Sequence, residues 1–203
     1  MNQWDTISSL FSKSNNNINI EQLDENSSVI KELNINPESI LGEIVRHISS
    51  LSINSYLRVL GGNKNKSNIL SFNLEIKKIY PGNKIIVAND IWGGLFAINN
   101  GDFEDELRNI WYYAPDELQW INLKIDYSEF ISWICSDNIN LFYENLVWND
   151  MKDFIFNIGE NQAVLIYPFL WAKECNINTA DKKIVELSEL IKLNFDYQNK
   201  FGL

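Results

Sequence analysis

Residues 85–103 read IIVANDIWGGLFAINNGDF, and residues 109–123 read NIWYYAPDELQWINL. Four short runs rich in β-branched and aromatic residues stand out: 85–88, 94–98, 109–114 and 119–123. Turn chemistry separates them, at Asn89-Asp90, Asn99-Asn100-Gly101 and Ala114-Pro115-Asp116, and Pro81-Gly82 precedes the first. A parallel pair needs a crossover of a dozen or more residues, and these gaps are too short to hold one. The stretch therefore predicts an antiparallel meander.

Outward from it the hydrophobic period turns helical. Trp4, Ile7, Leu10 and Phe11 share one helical face, and the polar run 12–17 (SKSNNN) ends that helix as a surface loop. Residues 23–33 predict a second short helix with Asp24 as N-cap. Pro37 fits the first turn of a third helix capped by Asn36, whose apolar stripe is Ile40, Leu41, Ile44, Val45 and Ile48. Residues 55–60 predict a further short element that stops at Gly61-Gly62, a pair suited to the left-handed end of a helix.

Past Asp126 the helical spacing returns through Phe130, Ile131 and Ile134, then Leu141, Phe142, Leu146 and Val147. Residues 163–167 lack alternation and read as a strand buried on both faces. A terminal helix over 184–201 aligns Leu187, Leu190, Ile191 and Phe195. The fold class expected is α+β, a central antiparallel sheet flanked by helices. The expected organisation is a single domain, 1–203, with a mainly helical part over 1–60 and a sheet core with C-terminal helices over 61–203.

Seventeen basic residues against twenty-seven acidic ones leave a net charge of −10. That balance argues against nucleic acid and against an anionic membrane surface, which both need Lys and Arg to neutralise phosphate. It favours a cationic partner. Apolar residues make up 45% and charged ones 22%, a globular composition. The longest apolar run, 163–172, is interrupted by Pro168, whereas a membrane helix needs about twenty residues. No apolar region follows a basic start at the N-terminus, so the cytoplasm is the expected compartment. Cys135 and Cys175 stand apart from any CxxC spacing, which suggests neither zinc nor a redox pair.

His47 is the only histidine, which starves metal and triad chemistry, and its place at the end of an apolar helix suggests a cap. Asp102, Glu104, Asp105 and Glu106 (DFEDE) lack the spacing of a calcium loop and read as a solvated charged turn. Gly93-Gly94 lacks a GxGxxG or Walker context, so its expected work is a tight structural turn. Alternation sends Trp111 and Tyr113 to one face of their strand and Tyr112 to the other, so one set packs in the core and the other is free to line a binding surface. The candidate binding residues are Asp90, Trp92, Asp102, Glu104, Asp105, Glu106, Trp111 and Tyr113. No metal or cofactor is expected.

The ordered set LRVLGG (57–62), IIVANDIWGGLFAINNGDF (85–103), WYYAPDELQW (111–120), YSEFISW (127–133) and YPFLWA (167–172) resembles a bacterial domain-of-unknown-function family with an AdDvlGGfFAiNgG signature. The resemblance runs over nearly the whole chain from about Gly42 onward. Asn89 departs from the Asp expected there, which weakens a paired-carboxylate role for that turn. More distantly, the order of motifs resembles the SUKH superfamily, whose members include bacterial immunity proteins that neutralise toxins. This second resemblance implies a SUKH-like α+β binding scaffold without a catalytic centre.

Two functional readings follow. The first is a non-enzymatic module that binds a cationic protein such as a toxin. The second is a small carboxylate-based or metal-dependent hydrolase using Asp90 with Asp102, Asp105 or Asp116. The poverty of catalytic residues favours the binder. The sequence leaves the oligomeric state open.

Overall fold

The structure is a computed structural model that describes residues 3–23, 29–63 and 67–203. Seven strands form one sheet in chain order: β1 (Ile18–Gln22), β2 (Ile48–Ile53), β3 (Leu57–Leu60), β4 (Ile85–Asp90), β5 (Leu95–Ile98), β6 (Ile110–Ala114) and β7 (Gln119–Asn122). Every neighbouring pair is antiparallel, so the expected meander is present, with helices around it. The meander is wider than the quoted stretch, because residues 18–60 contribute three strands to it. Asn54 and Ser55 both take positive φ, 52° and 63°, the twist that suits a primed hairpin turn between β2 and β3.

Register partners point to the same face, and adjacent registers alternate. Leu51, Val59, Ala88, Phe96 and Tyr112 form one row across five strands. This face is covered by α5 (Tyr127–Ile134) and α6 (Asn138–Phe142), with Phe96 packed 5.1 Å from Phe130 and Tyr112 4.9 Å from Phe142. The next row is Ser52, Arg58, Asn89, Leu95, Tyr113 and Trp120, and it faces the other way. Its apolar half lies under α8 (Leu187–Phe201), whose Phe195 ring sits 4.6 Å from Tyr113. Tyr80, at the end of α4 (Ile69–Ile79), stacks on the same Phe195 at 4.3 Å.

Several boundaries move for identifiable reasons. Helix α1 (Gln3–Lys13) forms as predicted, but the SKSNNN run after it is anchored rather than free. Ser14 Oγ donates to the Cys135 carbonyl at 2.7 Å, and Asn16 Nδ2 to the Ser136 carbonyl at 2.9 Å, which satisfies the C-terminal end of α5. The helix expected over 23–33 is reduced to α2 (Val29–Glu32), and its proposed cap Asp24 lies outside the described residues. Helix α3 (Ile40–His47) starts later than Pro37 suggested. Ser39 is its N-cap, accepting from the Gly42 N–H at 3.0 Å, while Asn36 accepts from the Glu38 N–H.

Ile48, read as the last residue of the α3 stripe, is instead the first of β2. Residues 57–60 are strand, and Gly61 is not a helix end. A Cβ at Gly61 would press on the Ser49 carbonyl oxygen at 2.6 Å, so glycine lets the chain leave β3 beside β2. The strand over 163–167 also exists, as β8 (Gln162–Tyr167), but it pairs with β9 (Asp181–Glu186) in a separate two-stranded sheet. Tyr167 is 61% exposed there, so β8 is not sandwiched on both faces. A bond from the Val164 N–H to the Ile91 carbonyl, 2.6 Å, ties this small sheet to the end of β4. A short helix, α7 (Met151–Phe154), precedes β8, and Ile184 belongs to β9 rather than to α8.

Candidate functional site

Asp90 closes β4, and its side chain is wholly buried. One oxygen accepts from the Trp92 N–H at 2.9 Å and the Gly94 N–H at 2.8 Å. The other accepts from the Tyr112 hydroxyl at 2.8 Å and the Tyr143 hydroxyl at 2.9 Å. Burial raises this carboxyl above its ordinary range even though all four bonds pull the other way. Burial and the Asp90 charge together hold both tyrosine hydroxyls well above theirs.

The turn that lets the backbone wrap the carboxylate is glycine for a stated reason at each place. Gly93 has φ +88°, a conformation that side chains disfavour. A Cβ on Gly94 would collide with Asp90 Oδ2 and the Tyr112 ring. Trp92 stacks on Tyr143 at 4.7 Å, and Tyr113 is buried against Phe195. Asp90, Trp92 and Tyr113 are therefore core groups, and a partner meeting the folded surface does not touch them.

The acidic loop is built by Asn99, which sequence reading placed only in a turn. Its carbonyl oxygen accepts from the Gly101 and Phe103 N–H groups, and its amide donates to the carbonyls of Phe103, Asp105 and Glu106. The loop folds back so that Phe103 stacks on Trp111, centroids 4.3 Å apart and 11° between planes. Asp102 accepts from the Lys84 ammonium at 2.9 Å and from the Asn83 and Lys84 N–H groups. Partial burial pushes the Asp102 carboxyl up, but the Lys84 ammonium and those N–H groups outweigh it and hold the carboxyl below its usual range. Asp105 accepts from Asn122 at 2.6 Å, and Glu104, Asp105, Glu106 and Leu107 are all exposed.

Of the eight candidate residues, the structure thus gathers Asp102, Glu104, Asp105, Glu106 and Trp111 into one patch beside β6 and β7. The signal that could have found the organiser is the Asn-Asn-Gly triplet after a strand, since Asn side chains fold turns by bonding the backbone just ahead.

His47 stacks on Trp4 at 4.4 Å and lies 3.2 Å from Glu43, at the C-terminal end of α3. Among the described residues, no three His, Cys, Asp or Glu side chains come together as a metal-ligating group. No helix among the described residues is long and apolar enough to cross a membrane. A cleft of about 240 Å³ over β2, β3 and β4 has Arg58 and Asn89 among its walls. The sequence marks Asn89 only as a departure from the resembled signature and does not mark Arg58 at all.

The fold and patch define an α+β protein with a seven-stranded antiparallel meander whose acidic loop is ordered from within. The chain belongs to the family described as protein of unknown function DUF2625, whose model matches residues 2–190. It is 28% identical over 176 residues to the putative uncharacterized protein YbfG of Escherichia coli (strain K12), covering 86% of this chain and 81% of that protein. An uncharacterized protein of Haemophilus influenzae (strain ATCC 51907 / DSM 11121 / KW20 / Rd) is also 28% identical, over 210 residues, covering 98% of this chain and 92% of its own. No solved structure matches the chain.

Proposed function

We propose that the protein is a non-catalytic binding module that captures a cationic protein, in the manner of an immunity protein occluding a toxin. The supporting observation is the Asn99-centred ordering of the acidic loop, which makes five hydrogen bonds before any partner arrives. A loop already ordered binds without the entropic cost of immobilising it. It holds Glu104, Asp105 and Glu106 in solvent beside Leu107, which is 67% exposed, and the half-buried Trp111. Charge would speed encounter, and the apolar groups would lengthen the life of the complex. The net charge of −10 and the resemblance to the SUKH superfamily point the same way.

The test begins with capture from a bacterial extract at low salt, followed by kinetics with the purified captured protein. Raising salt to about 1 M shortens the Debye length to about 3 Å, so association should slow several-fold while dissociation changes much less. The variant Glu104→Gln, Asp105→Asn, Glu106→Gln leaves Asp102 on Lys84 and should reproduce that slowing in low salt. An association rate equal to wild type would remove the loop from the site.

A further inference from the structure

The row Asn19, Ser52, Arg58 and Asn89 puts four polar side chains in register on one face of β1 to β4. On the same line, Leu95, Tyr113 and Trp120 complete the row across β5 to β7 with apolar groups. Helix α8 covers the apolar half through Phe195. The polar half opens instead into the cleft of about 240 Å³, which is walled also by Phe72 and Ile158 and rimmed by Phe156. Polar groups in mid-sheet are costly unless each finds a partner.

Two of them find only part of what they need. Arg58 is 9% exposed, and its Nη1 donates to the Glu160 and Gln162 carbonyls at 2.9 and 2.7 Å, but its Nη2 has no partner among the described residues. Asn89, directly opposite it on β4, is 2% exposed, and among the same residues its Oδ1 has none either. The residues that carry this unpaired donor and this unpaired acceptor are thus register partners, and both are among the cleft walls.

The electrostatics decide what kind of ligand fits. Burial lowers the Arg58 pKa to about 10, and the charges that oppose this are the carboxylates of Asp90 and Glu160. Two acidic groups acting on one guanidinium, in a chain of net charge −10, disfavour an anion there. A hydroxyl group has the chemistry for either orphan, because it can accept from Nη2 and donate to Oδ1. Ser50, Ser52 and Ser67 add further hydroxyls to the lining, and Phe156, 82% exposed, offers a ring face at the rim.

We infer that the Arg58–Asn89 cleft binds a neutral polyol of about monosaccharide size. Its hydroxyls engage Arg58, Asn89 and the serines, and its less polar face lies toward Phe156. The site is separate from the acidic loop, which follows β5, so either reading can fail without the other.

The test uses the full chain labelled with ¹⁵N, titrated to millimolar levels with four neutral probes: glucose, ribose, N-acetylglucosamine and myo-inositol. Gluconate and glucose 6-phosphate are the charged arms. At least one neutral probe should give saturable shifts of the Ser52 and Asn89 amides, with both charged arms binding at least tenfold more weakly. Arg58 also anchors the Glu160–Gln162 segment, so Asn89→Leu is the main variant. It should melt no lower than wild type, because it removes a buried unpaired acceptor, and it should weaken the best neutral probe at least tenfold. No saturable shift with any neutral probe overturns the inference. So does tighter binding of a charged arm, or unchanged affinity in Asn89→Leu.

Discussion

The Tyr143 hydroxyl donates to Asp90 Oδ2 across 2.9 Å, although the two residues lie 53 positions apart in the chain. Tyr143 follows α6 directly, so this bond fixes the end of that helix to the end of β4. Tyr112, from β6, meets the same oxygen, which makes one carboxylate the junction of three distant segments.

That carboxylate should leave a mark on the pH dependence of stability. Its folded pKa lies above the ordinary 3.8, raised by burial. The stability it contributes is therefore present below the unfolded value and is lost as pH rises through the folded one. Asp90→Asn cannot titrate, keeps an oxygen for the two N–H groups, and leaves the tyrosine hydroxyls free to turn and accept from its amide. The melting temperature of the Asn variant minus that of wild type should grow from about pH 4 to about pH 7. A gap that stays flat or shrinks would refute this.

Gly93 and Gly94 should both resist substitution, through different physics. Gly93→Val forces a β-branched residue to φ +88° and toward Leu190 and Asn194, which lie 3.1 and 3.2 Å from the position of its Cβ. Gly94→Val drives a side chain into the Asp90 carboxylate. Each should cost about 1–3 kcal/mol or more, read as a lowered melting temperature. Two unchanged values would show that the turn tolerates side chains.

Asp102 should behave as a structural residue even though it sits in an exposed loop. Lys84 is 4% exposed at its side chain, so Asp102→Asn leaves a buried ammonium without its counter-charge. A loss of about 1–3 kcal/mol near neutral pH is expected, and Lys84→Met in the same chain should recover part of it. The folded pKa of Asp102 is depressed, so its stabilisation is present above the unfolded value and fades as pH falls through the folded one. Chemical denaturation at neutral and acid pH reads both effects. An Asp102→Asn chain as stable as wild type at neutral pH would make the pair superficial.

The strands around Gly93-Gly94 were legible because β-prone runs and turn residues agreed there, and β4 to β7 fall on the four runs, although β4 extends through Asn89 and Asp90, which read as a turn. Three serines dilute the β-branched signal of β2, and its Ile48 fitted the period of the preceding helix, so that residue was read as helix and residues 49–53 as no element. β1, INIEQ, is exposed along most of its length and carries little hydrophobic signal. Among site residues, Glu104, Asp105 and Glu106 were readable because local charge marks a solvated turn. Asp90 was readable as unusual but not as buried, since Tyr112 and Tyr143, which hold it, come from 22 and 53 residues away. Arg58 gave no local sign and Asn89 only that of a turn, because what makes them notable is their register across two strands.

The Asp90 junction also bears on synthesis. A ribosome delivers β4, then β6, and only later Tyr143, so a nascent chain halted before α6 has the carboxylate but lacks its second hydroxyl. Until that segment emerges, water must serve the oxygen that Tyr143 will take, and the layer over Phe96 and Tyr112 cannot close dry. Closure of that layer is thus deferred to the arrival of a single phenol, and chains cut short of it should be ones that quality-control proteases find open.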